Sequence, residues 1–204
     1  MKKSHWENIY ASKSMQEVSW FQEIPITSLD LISKLVLPRD ASIIDVGGGN
    51  SFLVDELLKL GYTNISVLDI SSNAIEKAKE RLGDLAKNVK WIVSDITEFI
   101  PSKKYDVWHD RAAFHFLTKP EDIKIYKQLV KNNVKENAYF ILATFSDNGP
   151  DKCSGLFVNK YSEQQQKLTF EKNFDLVDSF KYSHLTPFGT IQYFVFSLFK
   201  KKYI

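Results

Sequence analysis

The sequence holds a single cysteine, Cys153, which excludes an internal disulfide and suits a reducing compartment. That cysteine and four histidines show no metal-ligand spacing, so no metal site is expected. There is no Gly-x-Ser-x-Gly elbow, which counts against a hydrolase of that type. No apolar run is long enough to cross a membrane. The opening Met1-Lys2-Lys3-Ser4-His5-Trp6-Glu7 lacks the apolar core of a signal peptide, so a cytoplasmic protein with no membrane partner is expected. Strong charge of one sign is missing too: 27 basic against 25 acidic residues leave a net +2, which argues against a nucleic-acid partner. No internal repeat or low-complexity tract interrupts the chain.

What is present fits one globular domain over 1–204, with 44% hydrophobic and 25% charged residues. Apolar runs near 42–46, 64–69, 89–93, 105–109 and 138–146 alternate with amphipathic stretches, a rhythm that predicts an α/β fold with a parallel doubly wound sheet. Helices are expected over 51–60, stopping at Gly61, over 72–82, stopping at Gly83, and over 120–134. Ser162 and Gln165 stand at capping-box spacing before a helix over 163–170. Two extended aromatic-rich runs, 174–184 and 190–199, joined by Thr186-Pro187-Phe188-Gly189, read as a C-terminal hairpin. Residues 1–40 carry Trp6, Tyr10, Trp20 and Phe21 and a helical pattern over 27–37, which suggests a lid or a flanking pair of helices. Trp6 and Trp20 either wall an acceptor pocket or pack those helices onto the core.

The most informative run is Ser42-Ile43-Ile44-Asp45-Val46-Gly47-Gly48-Gly49-Asn50-Ser51, an apolar strand that ends in an acid and three glycines before a helix. Glycines there let the backbone turn tightly and direct N–H groups, together with the helix dipole, at an anionic group. A dinucleotide fingerprint needs glycine or alanine at position 52, which is Phe, so a nicotinamide enzyme loses its main support. Acids also end the next two apolar runs, at Asp69 and Asp95. Each alone equally suits a helix cap or turn, but three at successive strand ends point to one cofactor site.

On these residues the chain resembles the class I S-adenosylmethionine-dependent methyltransferases. The resemblance implies a Rossmann-like seven-stranded sheet of order 3-2-1-4-5-7-6 closed by an antiparallel hairpin. It also implies a glycine loop at Gly47, Gly48 and Gly49 after Asp45, ribose binding by Asp69, adenine contact by Asp95, and an apolar sandwich of Ile70 and Ile96. S-adenosyl-L-methionine would be the cofactor and S-adenosyl-L-homocysteine the product. The fourth strand runs into His109-Asp110-Arg111-Ala112-Ala113-Phe114-His115, where ligands bind in such sheets. His109, Asp110 and Arg111 are expected to line the reaction centre or the methionine part of the cofactor. Arg111 would hold an anionic acceptor or pair with Asp110 or Asp45. His115 either takes a proton from the acceptor or is half-buried between Phe114 and Phe116. The turn-rich loop 146–155 is expected to face the acceptor, with Cys153 a small thiol there rather than a nucleophile. Methyl transfer from a sulfonium is an in-line displacement that runs largely on alignment, so no dedicated base is required.

His5-Trp6-Glu7-Asn8, Glu17-Val18-Ser19-Trp20, His109-Asp110-Arg111-Ala112 and Thr186-Pro187-Phe188-Gly189 are similar to a subfamily of bacterial proteins related to the mitochondrial enzyme that methylates a lysine of citrate synthase. This suggests a protein-lysine acceptor. An Asp-Arg pair after the fourth strand is also similar to thiopurine and tellurite-type methyltransferases, which suggests a small thiol or metalloid. A non-catalytic nucleotide-binding protein is the more distant alternative.

Overall fold

The computed structural model describes residues 3–203. Trp6 and Tyr10, four residues apart, share the buried face of α1 (Lys3–Ser12), and α2 (Ile26–Ser33) buries Ser28, Leu31 and Ile32. The N-terminal segment is therefore a pair of helices, with α2 ending four residues earlier than its spacing suggested, short of Val36 at a positive φ of 48° and Pro38.

From there the chain alternates as expected: β1 (Ile43–Val46), α3 (Leu53–Lys59), β2 (Ile65–Asp69), α4 (Ser72–Leu82), β3 (Val89–Val93), β4 (Tyr105–Arg111), α5 (Pro120–Asn133) and β5 (Val134–Phe145). β6 (Lys152–Cys153) and β7 (Leu156–Phe157) form a small separate hairpin, α6 (Glu163–Phe170) follows, and β8 (Phe174–Leu185) and β9 (Ile191–Lys201) close the main sheet. The sheet order is β3-β2-β1-β4-β5-β9-β8, parallel except where β9 pairs with β5 and β8. With the β6–β7 hairpin set aside, this is the expected seven-stranded order.

Boundaries moved where side-chain capping outweighs apolarity. α3 starts at Leu53, whose N–H bonds the Ser51 hydroxyl at 3.1 Å, so Ser51 stands before the helix. β5 starts at Val134, directly after α5, because Val134 pairs with Tyr105 although Lys135-Glu136-Asn137 is polar. α6 opens with the expected Ser162–Gln165 capping box.

β1 is buried along its whole length, so its alternate side chains serve two cores. Ile43 packs with Leu31, Leu53 and Ile141, while Ile44 packs with Trp108, Tyr126 and Phe140 under α5 and α6. The same alternation on β4 separates His109 and Arg111 from Asp110. Parallel register sets Asp45 beside His109 and Val46 beside Asp110, which decides what each polar residue can reach.

Candidate active site

Above the carboxyl ends of β1, β2 and β4 lies a cavity bounded by the glycine loop, α1, the strap 15–25 and the β6–β7 hairpin. Asp45, Gly47, Gly48, Asp69, Ile70 and Ile96 line the side of it expected to take the cofactor. His109, Arg111, Trp20 and Cys153 line its other side, so most of the expected site residues converge there.

The glycine loop works by leaving room. A Cβ on Gly48 would stand 2.5 Å from Asp45 Oδ2, and one on Gly47, whose φ is +70°, would stand 2.7 Å from Ala113 Cβ. Two of the expected anion-facing N–H groups are taken: those of Gly47 and Gly48 donate to Leu68 O at 2.7 and 3.2 Å. Parallel packing of β1 on β2 takes these donors before a ligand can.

The third loop position has a different task. Arg81 of α4 lies 4.2 Å over the Phe52 ring and holds both Asp55 oxygens, through Nε at 3.0 Å and Nη2 at 2.7 Å. It also donates to Asn50 and to Ser51 O, so loop, α3 and α4 form one block. Sequence reading missed Arg81, because nothing local links it to a loop thirty residues earlier.

Asp69 sits at the end of β2, 5% exposed, accepting Ser71 N–H at 2.8 Å. Burial pushes its carboxyl up to about 7, with Asp45 and Glu7 adding to the rise. A carboxylate so placed favours donors such as ribose hydroxyls. Ile70 and Ile96 provide the flanking apolar surface. Asp95 does not line the cavity, although its neighbours Ser94 and Ile96 do. Its carboxylate accepts from Thr97 N and Oγ1, which caps the turn after β3. Gly49 also stands behind the wall, packed against Asp69 and Ala74.

His109 and Asp45 form a buried pair, Nδ1 to Oδ1 at 2.7 Å, and His109 Nε2 meets Ser28 Oγ at 2.9 Å. A carboxylate only accepts, so Nδ1 carries a proton and, in the neutral ring, Nε2 accepts from Ser28. Ser28 also lines the cavity. It is 81 residues from His109 in sequence, so no motif announces it.

Two expected catalytic residues are elsewhere. Asp110 faces the opposite core, where Tyr126 Oη donates to it at 2.6 Å and the N–H groups of Ala113 and Phe114 at 3.0 and 3.1 Å. It braces the turn after β4 because neighbouring strand residues point to opposite faces. His115 is fully buried, and its Nδ1 accepts from Phe145 N at 3.3 Å. Burial and the nearby Arg111 charge push it down to about 3, so it stays neutral and is no base at physiological pH. Arg111 pairs with neither Asp110 nor Asp45. Its Nη1 donates to Trp20 O at 3.1 Å and its guanidinium lies 5.1 Å over Phe194. Burial raises Cys153 to about 11, leaving a thiol and no nucleophile.

Glu7 latches α1 over the cofactor side. Its carboxylate accepts from Ser71 Oγ, Ser72 N, Ser72 Oγ and Asn73 N at 2.7 to 3.0 Å, at the N-terminus of α4. Trp6 and Tyr10 are thereby held against Ile70 and Ala74. Burial tends to raise the Glu7 carboxyl, but the bonds from Asn73, Ser71 and Ser72 outweigh it and bring it to about 2. Stability from this group is therefore present above its ordinary value of 4.5 and lost as pH falls through about 2, so the latch holds at neutral pH. Glu7→Ala is expected to weaken the attachment by about 1 to 2 kcal/mol. Stopped-flow tryptophan fluorescence should then show S-adenosylhomocysteine leaving about tenfold faster; an unchanged rate would mean that α1 does not gate the cofactor.

Residues 38–190 match the family model described as "Methyltransferase domain". The chain belongs to that family. S-adenosyl-L-methionine is the cofactor that accompanies this family and fold. The chain is 33% identical over 119 residues to a malonyl-[acyl-carrier protein] O-methyltransferase of Anoxybacillus flavithermus, covering 57% of this chain and 43% of that one. It is 26% identical over 160 residues to EEF1A lysine methyltransferase 2 of Homo sapiens, covering 70% and 66%. A solved S-adenosylmethionine-dependent methyltransferase from Anabaena variabilis superposes with a TM-score of 0.73 at 15% identity, covering 98% and 95%. The chain spans less than half the length of the malonyl enzymes that it matches.

Proposed function

We propose that this protein transfers a methyl group from S-adenosyl-L-methionine to a small-molecule acceptor taken into the aromatic side of the cavity. The cofactor supplies a methyl group activated on a positively charged sulfur. Asp69 would hold the ribose, Ile70 and Ile96 the adenine, and Ser94 with the loop at Gly47 and Gly48 the adjoining wall. Fit is supported by the buried, donor-seeking carboxyl of Asp69 and by the room that a Cβ at Gly48 would remove. Trp6, Trp20 and Phe21 exclude water from the reacting atoms, which strengthens electrostatic control in the site. For an acceptor that must lose a proton, the Ser28–His109–Asp45 chain offers a route from the Ser28 hydroxyl to His109 Nε2, with Asp45 steadying the ring.

The observation that carries the small-molecule reading is Arg111. It is the only Lys or Arg lining the cavity among the described residues, and it has no carboxylate partner within salt-bridge distance among them. A lysine ammonium entering the same cavity would meet its like charge. A protein-lysine acceptor is the second reading, supported by the similarity to EEF1A lysine methyltransferase 2 over 70% of the chain.

The cofactor half is tested by thermal shift, since a bound ligand raises stability by mass action. S-adenosylmethionine and S-adenosylhomocysteine should each raise the melting temperature while NAD(H) and NADP(H) leave it unchanged. A rise with a nicotinamide, or with none of the four, would overturn the reading. Labelled methyl groups would then follow transfer to small acids, thiols and lysine peptides in parallel.

A further inference from the structure

Arginine presents two usable edges, and this chain shows what one of them does when paired. Arg81 directs Nε and Nη2, the parallel pair along one side of the guanidinium, at the two oxygens of Asp55. In Arg111 the same two nitrogens, Nε and Nη2, are out of solvent contact and have no partner among the described residues. Its remaining donor, Nη1, goes to Trp20 O on the strap. A guanidinium edge left unpaired out of solvent is costly, and desolvation accordingly pulls Arg111 down to about 10. A third unpaired donor lies close by: His115 Nδ1 accepts from Phe145, so Nε2 carries the ring proton, and that Nε2 has no partner either.

The surroundings are matched to an acid. Arg111 meets Phe194 and the Trp20 carbonyl and lies near Cys153 and His184, on the β9 and strap side. Cys153 is a thiol and His184 is held below its usual value by burial and by Arg111, so neither neutralises the guanidinium. Asp45 contributes only at a distance and is already bound to His109.

We infer that the methyl acceptor carries a carboxylate, held bidentately by Nε and Nη2 of Arg111 on the side of the cavity formed by Trp20 and Cys153. This rests on the methyltransferase reading above and names the acceptor class for that site. Access to the edge comes with displacement of the strap, since Trp20 is the group that Arg111 holds through Nη1. The carboxylate is a recognition handle and does not itself have to be the methylated group.

The test uses the full chain saturated with S-adenosylhomocysteine. Benzoate, phenylacetate and hexanoate are the probes, with their primary amides as neutral counterparts, and binding is followed by saturation-transfer NMR and calorimetry. Wild type should bind the acids and prefer each over its amide by about tenfold or more, the scale of a charge-assisted bidentate contact. Arg111→Met should remove that preference while affinity for S-adenosylhomocysteine stays within about twofold. Arg111→Lys keeps the charge without the fork and should retain part of the preference, which separates recognition from folding. The inference fails if acids and amides bind alike, if no acid binds, or if the loss in Arg111→Met falls on S-adenosylhomocysteine, which would assign Arg111 to the cofactor carboxylate. A wild-type protein that does not take up S-adenosylhomocysteine would instead remove the cofactor reading beneath it.

Discussion

Asn at position 69 is expected to make the ligand-free protein more heat-resistant at alkaline pH and, in the same molecule, to remove most of its affinity for S-adenosylmethionine. Burial, then Asp45 and Glu7, raise the Asp69 carboxyl from 3.8 to about 7. A raised folded value means that the folded chain binds a proton more tightly than the unfolded one between those limits. The group's contribution is therefore fully present below about 4 and is lost as pH rises through about 7. Above that pH the charged form costs on the order of 4 kcal/mol, which Asp69→Asn avoids because an amide never ionises. The amide oxygen still accepts from Ser71, so the local turn survives. It offers the ribose diol a poorer pair of acceptors, and the loss should be on the order of 1 to 3 kcal/mol. Wild-type affinity for the cofactor should rise with pH through about 7, as bound hydroxyl donors favour the ionised acid, while the variant stays flat. Calorimetry at pH 6 and 8.5 measures both quantities. Equal melting temperatures at pH 8.5, or an unchanged cofactor affinity, would remove Asp69 from this role.

His109→Ala should be the most destabilising single exchange in the site. It leaves the Asp45 carboxylate, 3% exposed, without its partner, and it strips Ser28 of the acceptor for its hydroxyl. Leaving a buried carboxylate without its hydrogen-bond donor costs about 3 kcal/mol, and in a domain of this size that lowers the melting temperature by roughly 10 °C. Asp45→Asn combined with His109→Ala should recover part of the loss, because no charge is then stranded. His109→Gln keeps a donor for Asp45 but lacks the imidazole base. Single-turnover methylation therefore separates the two roles: a rate close to wild type in His109→Gln would show that the pair only positions α2 and β1. A rate reduced about a hundredfold or more would give His109 the proton.

The strand order, the closing hairpin and the convergence of Asp45 and Asp69 on one cavity were legible because each depends on local pattern: apolar runs, strand-end acids and a turn-forming Thr-Pro-Phe-Gly. The glycine loop was found for the same reason, yet its N–H groups were assigned to a ligand when β2 claims them, a contest between distant groups that spacing does not show. Asp110 was placed in the site on proximity to His109, although a period of two along a strand sends neighbours to opposite faces. His115 follows the strand and is carried into the core by Phe114 and Phe116 on either side. Ser28, Arg81 and the Glu7 latch were missed because each meets its partner across at least 26 residues of chain.

The strap that lines the cavity is attached to the sheet mainly through its backbone. Arg111 reaches the carbonyl of Trp20, His184 reaches the carbonyl of Ser19 at 2.7 Å, and Gln192 calls on the Ser19 hydroxyl. The identity of the residue at position 20 is thus decoupled from the tether that keeps it in place. An ancestral sequence drifting at that position would reshape the pocket and the ring packing on Trp6 and Tyr10 while the backbone tether stayed, so descendants of one scaffold have a short mutational route to new acceptors.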